Sequence, residues 1–522
     1  MRDFGSINEI LAKSAKCFPN KKAVIFGAKK ITYRKIASVS GRLAGGLYEL
    51  GIRRADKVCL WLPNIPEFIY SYFAILALGA VVVPINTLFK REEARFIIDD
   101  SRAKILICSV DKLDNAEVIL NRAYALENII CVPSCRKNTV AKGFYGLIDG
   151  CNAFDRRVDI KPSCIAEILY TSGTTGNPKG ACLTHGNLIA NVADCSRAIK
   201  VKSKDSFLCI LPLFHSFAST VCMLLPFYSG ASIVLMRTVR PFKRVVRAVF
   251  RNRITVFVAV PSIYKILAEI KLSWYKLIWF SLVNPVRICI SGAAALSGNI
   301  LEKFEKKIRR PLLEGYGLTE ASPVVSLNPL KGKRKRFSVG LALSSLEAKV
   351  VDDTGRELPR GGVGELIIKG PSIMKEYYNL KEETNKVLKD GWLWTGDLAS
   401  IDKEGYIYIK GRKKDMINVR GLNVYPREIE ELLYKHPGVK ETAVVGVPHP
   451  HRGEVPIAFV VTDGTVDDAK LVKYLKTNLA SYKVPLKVIA RRDFPKNAAG
   501  KILKIELRKE VKNMFVLKKR PG

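Results

Sequence analysis

Short runs of apolar, mostly β-branched residues recur through the first three hundred positions: 57–63 (KVCLWLP), 80–85 (AVVVPI), 104–110 (KILICSV), 128–133 (NIICVP), 232–236 (SIVLM), 255–261 (TVFVAVP) and 287–292 (RICISG). Helix-like stretches separate them. Unbroken apolar runs of this length read as strands buried on both faces, and their alternation with helices predicts mostly parallel sheets covered on both sides. From about 338 the texture changes: LEAKVVDDTG, VGELIIKG and GYIYIKGRKKD read as short strands with Gly- or Asp-rich turns, a small antiparallel sheet or barrel. After Asp415 it changes again, with PREIEELLYKHPGV and DDAKLVKYLKTNLA as helices and TAVVGVP and IAFVVTD as strands. The expected fold class is α/β: a large domain of stacked, mostly parallel sheets flanked by helices over 1–414, with a small β-barrel-like subdomain at 337–414, then a small α+β domain at 415–522.

Two stretches, 68–89 and 206–236, carry no charge and are long enough to cross a bilayer. The first changes character at Gly79, from a helix-like run to AVVVPI; the second is broken by Pro212, His215, Pro226 and Gly230. Both therefore read as core elements rather than membrane spans.

Composition narrows the picture. At 522 residues, 48% hydrophobic and 26% charged, the chain exceeds one ordinary domain and is not a disordered, collagen-like or coiled-coil sequence. Its net charge of +38 is spread: residues 415–522 carry +9 of it, in near proportion to their length. That spread favours a diffuse solvated surface over the alternative, attraction of nucleotides or of a negative membrane face. The run KGKRKR at 331–336 reads as a solvated loop, with no nucleic-acid contact implied. Twelve cysteines lie between Cys17 and Cys289 without a CxxC pair, which argues against a zinc ribbon or a thioredoxin motif. The first residues lack a secretory apolar core, so a cytoplasmic protein with reduced cysteines is expected.

The strongest local signal is the stretch 170–180, YTSGTTGNPKG. A strand-like EILY precedes it, and Thr184 can cap a following helix. Its glycines let the backbone N–H groups approach a ligand, and Thr171, Ser172, Thr174, Thr175 and Lys179 add donors, so it reads as a phosphate cradle. It is not a Walker A loop, because Gly180 and Ala181 follow the lysine.

Further motifs stand in order behind it: 314–320 (EGYGLTE), 394–397 (WTGD), 411–415 (GRKKD) and 500–503 (GKIL). Together the five resemble the adenylate-forming superfamily, which includes acyl-CoA synthetases, peptide-synthetase adenylation domains and luciferases, over residues 7 to 508. EGYGLTEASPVVSLNP and GLNVYPREIEELLYKHPGV look most like bacterial long-chain fatty acid–CoA ligases. The resemblance implies two half-reactions: a carboxylate attacks the α-phosphate of ATP to give an acyl-adenylate and pyrophosphate, then the thiol of coenzyme A expels AMP. It also implies that the last domain is mobile.

Carried over position by position, the resemblance implies that Thr171, Ser172, Gly173, Thr174, Thr175, Gly176 and Lys179 hold the β- and γ-phosphates. Glu320 matches a Mg²⁺ ligand and Thr319 an α-phosphate contact. Tyr316, within Glu314, Gly315 and Gly317, matches the ring against adenine, and Gly292, Ala293 and Ala294 match the small-residue turn beside it. Asp397 matches the acceptor of the ribose hydroxyls and Arg412 a basic contact to ribose or phosphate. Lys501 matches the catalytic lysine, His215 a group that orients the acyl carboxylate, Asp415 the hinge, and Gly421, Leu422 and Asn423 a turn lining the coenzyme A tunnel. The family's usual Ser or Thr two residues before Gly500 is Ala498 here.

Segments 206–236, 257–264 and 290–296 are expected to line an acyl pocket. The first contains no acid to meet an amino group, which favours a fatty acid over an amino acid. Three alternatives stay open: an acyl-AMP ligase that stops at the adenylate, a ligase that loads a carrier protein, and an aryl- or other carboxylate–CoA ligase. Peripheral contact with anionic membrane at its inner face and a homodimer are compatible with the sequence.

Overall fold

The computed structural model describes residues 4–136, 139–171, 178–270, 283–420, 422–449, 451–464, 467–496 and 501–517. All seven apolar runs are strands, in two large sheets. The first has nine strands in the order Leu341–Ala342, Val324–Leu327, Leu312–Gly317, Ile288–Ser291, Val256–Ala259, Ser206–Cys209, Ser232–Leu235, Lys22–Phe26 and Lys29–Thr32. Its six strands from Leu312–Gly317 to Lys22–Phe26 are mutually parallel. The second has eight, in the order Glu376–Tyr377, Lys179–Thr184, Ile165–Thr171, Val81–Pro84, Lys57–Trp61, Ile105–Ser109, Asn128–Val132 and Lys142–Gly143. It is parallel except where Lys179–Thr184 pairs on either side.

The two uncharged stretches lie inside this assembly. Helix Pro66–Ala77 is buried at every position from 66 to 76, Gly79 turns the chain at φ +66°, and strand Val81–Pro84 follows, buried throughout. The second stretch gives strand Ser206–Cys209, a turn bearing His215, a helical segment with a π-helical turn at Ser219–Leu224, and strand Ser232–Leu235. Among the described residues, no helix is long and apolar enough to cross a membrane. All twelve cysteines are unpaired.

The stretch 170–180 lies between two antiparallel strands, Ile165–Thr171 and Lys179–Thr184, and helix His185–Ile199 follows. That helix is capped as expected, by reciprocal hydrogen bonds between Thr184 and Asn187. One expectation is corrected: the antiparallel sheet after 346 is open rather than a barrel, with strands Glu347–Val351, Gly364–Lys369, Trp392–Ile401 and Leu388–Lys389 in order and Ile407–Arg412 beside Trp392–Ile401. The neighbouring strands Leu341–Ala342 and Glu376–Tyr377 leave it to pair with edges of the first and second sheets, whose unpaired backbone groups they satisfy. The 331–336 run is a largely exposed loop, as expected, and its cations pair with acids at the surface. Arg336 meets Glu302 at 2.8 Å, Lys335 meets Asp402 at 2.5 Å and Lys333 meets Glu404 at 3.2 Å, because helix Gly298–Ile308 and the 402–405 turn both face it with acids.

The fourth sheet contains Leu422–Val424, Ile417–Val419, Gly453–Thr462 and Val439–His449 in order, with Lys487–Ala490 parallel to Gly453–Thr462. Helices Pro426–Lys435 and Asp468–Asn478 bury Ile429, Leu433, Leu471 and Leu475 against one face; Leu507 and Val511 of helix Lys504–Leu517 pack with Phe459 on the other.

Candidate active site

Four parallel strands of the first sheet end at one edge, and the chain beyond each carries candidate chemistry: His215 after Ser206–Cys209, Val260 after Val256–Ala259, Gly292–Ala294 after Ile288–Ser291, and Thr319–Glu320 after Leu312–Gly317. In open parallel sheets this carboxyl edge is where ligands bind. Ala293 adopts φ +66°, and a Cβ on Gly292 would lie 2.9 Å from the Phe217 ring, which would have to shift to admit it. The pairing of Leu312–Gly317 with Val324–Leu327 shifts register between Tyr316 and Gly317, a bulge that re-aims the tyrosine. Gly315 lies opposite Leu327 in the same pair.

Tyr316 Oη donates to Asp397 Oδ2 at 2.5 Å, and Arg412 Nε donates to Asp397 Oδ1 at 2.8 Å. Asp397 and Arg412 stand opposite each other in the register of Trp392–Ile401 with Ile407–Arg412, which explains how residues from two motifs meet. Asp397 is 4% exposed, so its charge is matched inside the protein. The Asp397 carboxylate, against the cost of burial, holds the Arg412 guanidinium above its usual pKa, and Tyr316, Glu320 and Asp415 add to it. Glu314 is buried and pushed up to about 7, while its Oε1 accepts the Leu296 N–H at 3.0 Å.

A second group adjoins the first. Tyr377 Oη donates to Glu320 Oε1 at 2.8 Å, and the Lys179 ammonium lies 5.4 Å from the centre of the Tyr377 ring. Burial and the Glu320 carboxylate push the Tyr377 hydroxyl up, so it remains a donor at neutral pH. Lys179 Nζ also pairs with Glu383. Thr319 Oγ1 lies 3.4 Å from Ser216 Oγ, and Thr171 Oγ1 donates to the Lys179 carbonyl at 3.4 Å.

Lys501 joins from the chain's end. The surrounding protein, and next the Arg412 guanidinium, lower its pKa, with Asp397 and Asp415 opposing. His215 is held down to about 4, by burial first and by Lys501 second, so the imidazole is neutral at physiological pH. Its Nδ1 accepts the Phe217 N–H at 3.2 Å, which leaves the proton on Nε2. Asp415 Oδ1 accepts from Arg508 at 2.7 Å.

The structure thus brings Lys179, Glu320, Tyr316, Asp397, Arg412, His215 and Lys501 into one connected neighbourhood. Leu422 and Asn423 lie on an exposed strand. Ser172, Gly173, Thr174, Thr175, Gly176 and Gly421 lie outside the described residues. Sequence reasoning missed Tyr377, Glu383 and Arg508. Tyr377 is 57 positions from its partner Glu320 in a stretch without a motif, and only the cross-sheet pairing of Glu376–Tyr377 with Lys179–Thr184 reveals it.

A carboxyl sheet edge that gathers three cations and two buttressed carboxylates suits an α/β enzyme that handles a nucleotide. The chain belongs to the AMP-binding enzyme family: the model for that family matches residues 11–378, and the model for the AMP-binding enzyme C-terminal domain matches 428–501. Its activity is that of an adenylate-forming acyl- or aryl-CoA ligase, which uses ATP and coenzyme A. It is similar to a long-chain-fatty-acid–CoA ligase of Bacillus subtilis (35% identity, 97% of this chain and 94% of the relative) and to a feruloyl-CoA synthase of Amycolatopsis (33%, 95% and 97%). Among solved structures, ATP-bound MatB from Rhodopseudomonas palustris superposes with a TM-score of 0.90 at 32% identity, over 98% of this chain and all of that one. The apo form of MatB, at the same identity and coverage, gives 0.78. The overall arrangement seen here is therefore nearer to the ATP-bound one.

Proposed function

We propose that the protein activates a fatty acid as its acyl-adenylate and passes the acyl group to coenzyme A, releasing pyrophosphate and then AMP. The observation that carries this reading is the convergence of Lys501, from the chain's end, on Asp397, Arg412 and His215. Attack on the α-phosphate crowds negative charge at phosphorus, and fixed cations lower that barrier. In this reading Lys501 meets the attacking carboxylate and the α-phosphate, and Lys179 with the 171–176 loop grips the terminal phosphates. The Tyr316 ring supports adenine between it and Gly292–Ala294. Asp397, pre-oriented by Tyr316 and Arg412, accepts the ribose hydroxyls. His215 serves as a donor through Nε2 that orients the carboxylate, its imidazole held neutral near physiological pH by burial and by Lys501.

Magnesium fits this site. Glu320 offers a hard carboxylate oxygen oriented by Tyr377, with the Thr319 hydroxyl beside it. Among the described residues no three or more His, Cys, Asp or Glu side chains gather to hold a metal, so Glu320 and the nucleotide's own phosphates would be its ligands. Bound there, the ion would neutralise phosphate charge.

The fatty-acid assignment is supported by the apolar walls near His215, where Leu211, Leu213, Ala218, Val221, Val260 and Ile263 are buried and 206–236 contains no charge. AMP release measured across fatty, aryl and amino acids, with and without coenzyme A, is expected to be fastest with long-chain fatty acids and to need the thiol. Preference for an aryl acid moves the reading to an aryl–CoA ligase, and thiol-independent turnover moves it to an acyl-AMP ligase.

The positive surface supports peripheral contact with anionic lipid, where such a substrate partitions. Seven Arg and Lys residues fall between 237 and 253, all exposed, with no acid between 231 and 268. In helix Lys243–Arg251, Val245 and Val249 are buried while Lys243, Arg244, Arg247 and Arg251 share the opposite face. At about 1 kcal/mol per cation near an anionic surface, replacing these four by Gln is expected to abolish co-sedimentation with phosphatidylglycerol vesicles. Replacing Lys470, Lys473, Lys476 and Lys487 is expected to preserve it; equal loss from both sets would leave only diffuse charge.

A further inference from the structure

Lys179 is ion-paired within the protein itself. Its partner, Glu383, also takes Lys386 on its other oxygen, and the two lysines hold the Glu383 carboxyl down to about 2. The partnership is built by the fold. Strand Glu376–Tyr377 pairs with Lys179–Thr184, Tyr378 N–H donates to the Gly180 carbonyl at 2.7 Å, and Met374 N–H donates to the Glu320 carbonyl at 2.8 Å. Thr384 then accepts the Tyr377 N–H at 2.9 Å and donates to the Leu380 carbonyl at 2.8 Å, fixing helix Lys381–Val387 with Glu383 beside the first residue of the strand. Both side chains of the pair are mostly shielded, with 19% and 29% exposure.

We propose that Glu383 is an internal stand-in for phosphate: it holds Lys179 in the site while the nucleotide is absent, yields to the terminal phosphates of ATP, and returns as pyrophosphate leaves. A carboxylate offers one negative charge where a triphosphate end offers several, so displacement runs forward, yet every nucleotide that binds must first break the pair. The same pair is broken by ATP and by pyrophosphate. Its cost therefore weakens both ligands by one factor and speeds pyrophosphate release by as much. Glu383 is thus an affinity-setting residue for the nucleotide half-reaction. The inference rests on the reading of Lys179 as a phosphate-holding residue.

The test uses the full chain and ATP–pyrophosphate exchange with the best fatty acid, read as KM for ATP and as the inhibition constant of pyrophosphate. For a partly exposed pair, Glu383→Gln is expected to lower both about three- to fivefold. Glu382→Gln, which removes the neighbouring exposed acid, is expected to leave both unchanged. In a Lys179→Ala background Glu383→Gln is expected to have no effect. Constants that stay put or rise in Glu383→Gln overturn the proposal, as does an equal decrease in Glu382→Gln, which would reduce it to the general field. If Lys179→Ala itself leaves KM for ATP unaltered, the reading of Lys179 fails. If Lys179→Ala raises KM and Glu383→Gln does nothing, only the stand-in role is lost.

Discussion

Lys501→Ala is expected to reduce acyl-adenylate formation by roughly two to three orders of magnitude, the range seen when one fixed charge-stabilising donor is removed from a transition state. The same variant is expected to convert supplied acyl-adenylate to thioester at near the original rate. The structural reason is that Lys501 lies in the field of Asp397 and Arg412 and itself depresses His215, so its charge acts where the α-phosphate would sit. The thioester step breaks a different bond, and if residues 415–522 swing away for it, as the family resemblance implies, it does not meet this ammonium. Single-turnover measurement of pyrophosphate release beside thioester formation separates the steps; equal loss of both would defeat the assignment.

Asp415→Pro is expected to do the reverse. Asp415 closes the short turn Lys413–Asp415, immediately before strand Ile417–Val419 begins the fourth sheet, and its carboxylate is held by Arg508 of helix Lys504–Leu517. A rotation between poses must be absorbed by φ and ψ at a few such residues, and proline locks φ near −65°. Adenylation, which uses the arrangement already present, is expected to persist within about twofold, while thioester formation falls by roughly tenfold or more. Unchanged overall turnover would place the hinge elsewhere.

Much of this architecture is legible in the chain because burial on both faces leaves a periodic mark. Val81–Pro84 and Ile105–Ser109 are buried at every position, and their sequences are unbroken apolar runs. The 314–320 and 394–397 motifs were legible only through the family resemblance, since nothing in their own periodicity announces the bulge at Tyr316 or the burial of Asp397. What stayed hidden was long-range pairing. Leu341–Ala342 and Glu376–Tyr377 are two-residue strands whose partners lie in other sheets, and nothing in their own residues names those partners. The exposed loop at 331–336 reads as solvated, and its ion pairs stayed hidden because the acids, Glu302, Asp402 and Glu404, are remote in sequence. Tyr377 and Glu383 were overlooked for the same reason, although they touch the two residues that the motifs made most prominent.

The pairing of Glu376–Tyr377 with Lys179–Thr184 also sets a schedule for synthesis. A nascent chain emerging from the ribosome presents Lys179 nearly two hundred residues before the strand that braces it. Until residue 377 is free of the exit tunnel, the Lys179–Thr184 edge has no outer neighbour and Glu320 has no tyrosine to orient it. If Lys179 grips the nucleotide as proposed, its capture is a late event in the life of each molecule, and a truncated product ending before 376 is expected to lack the brace on that lysine's strand.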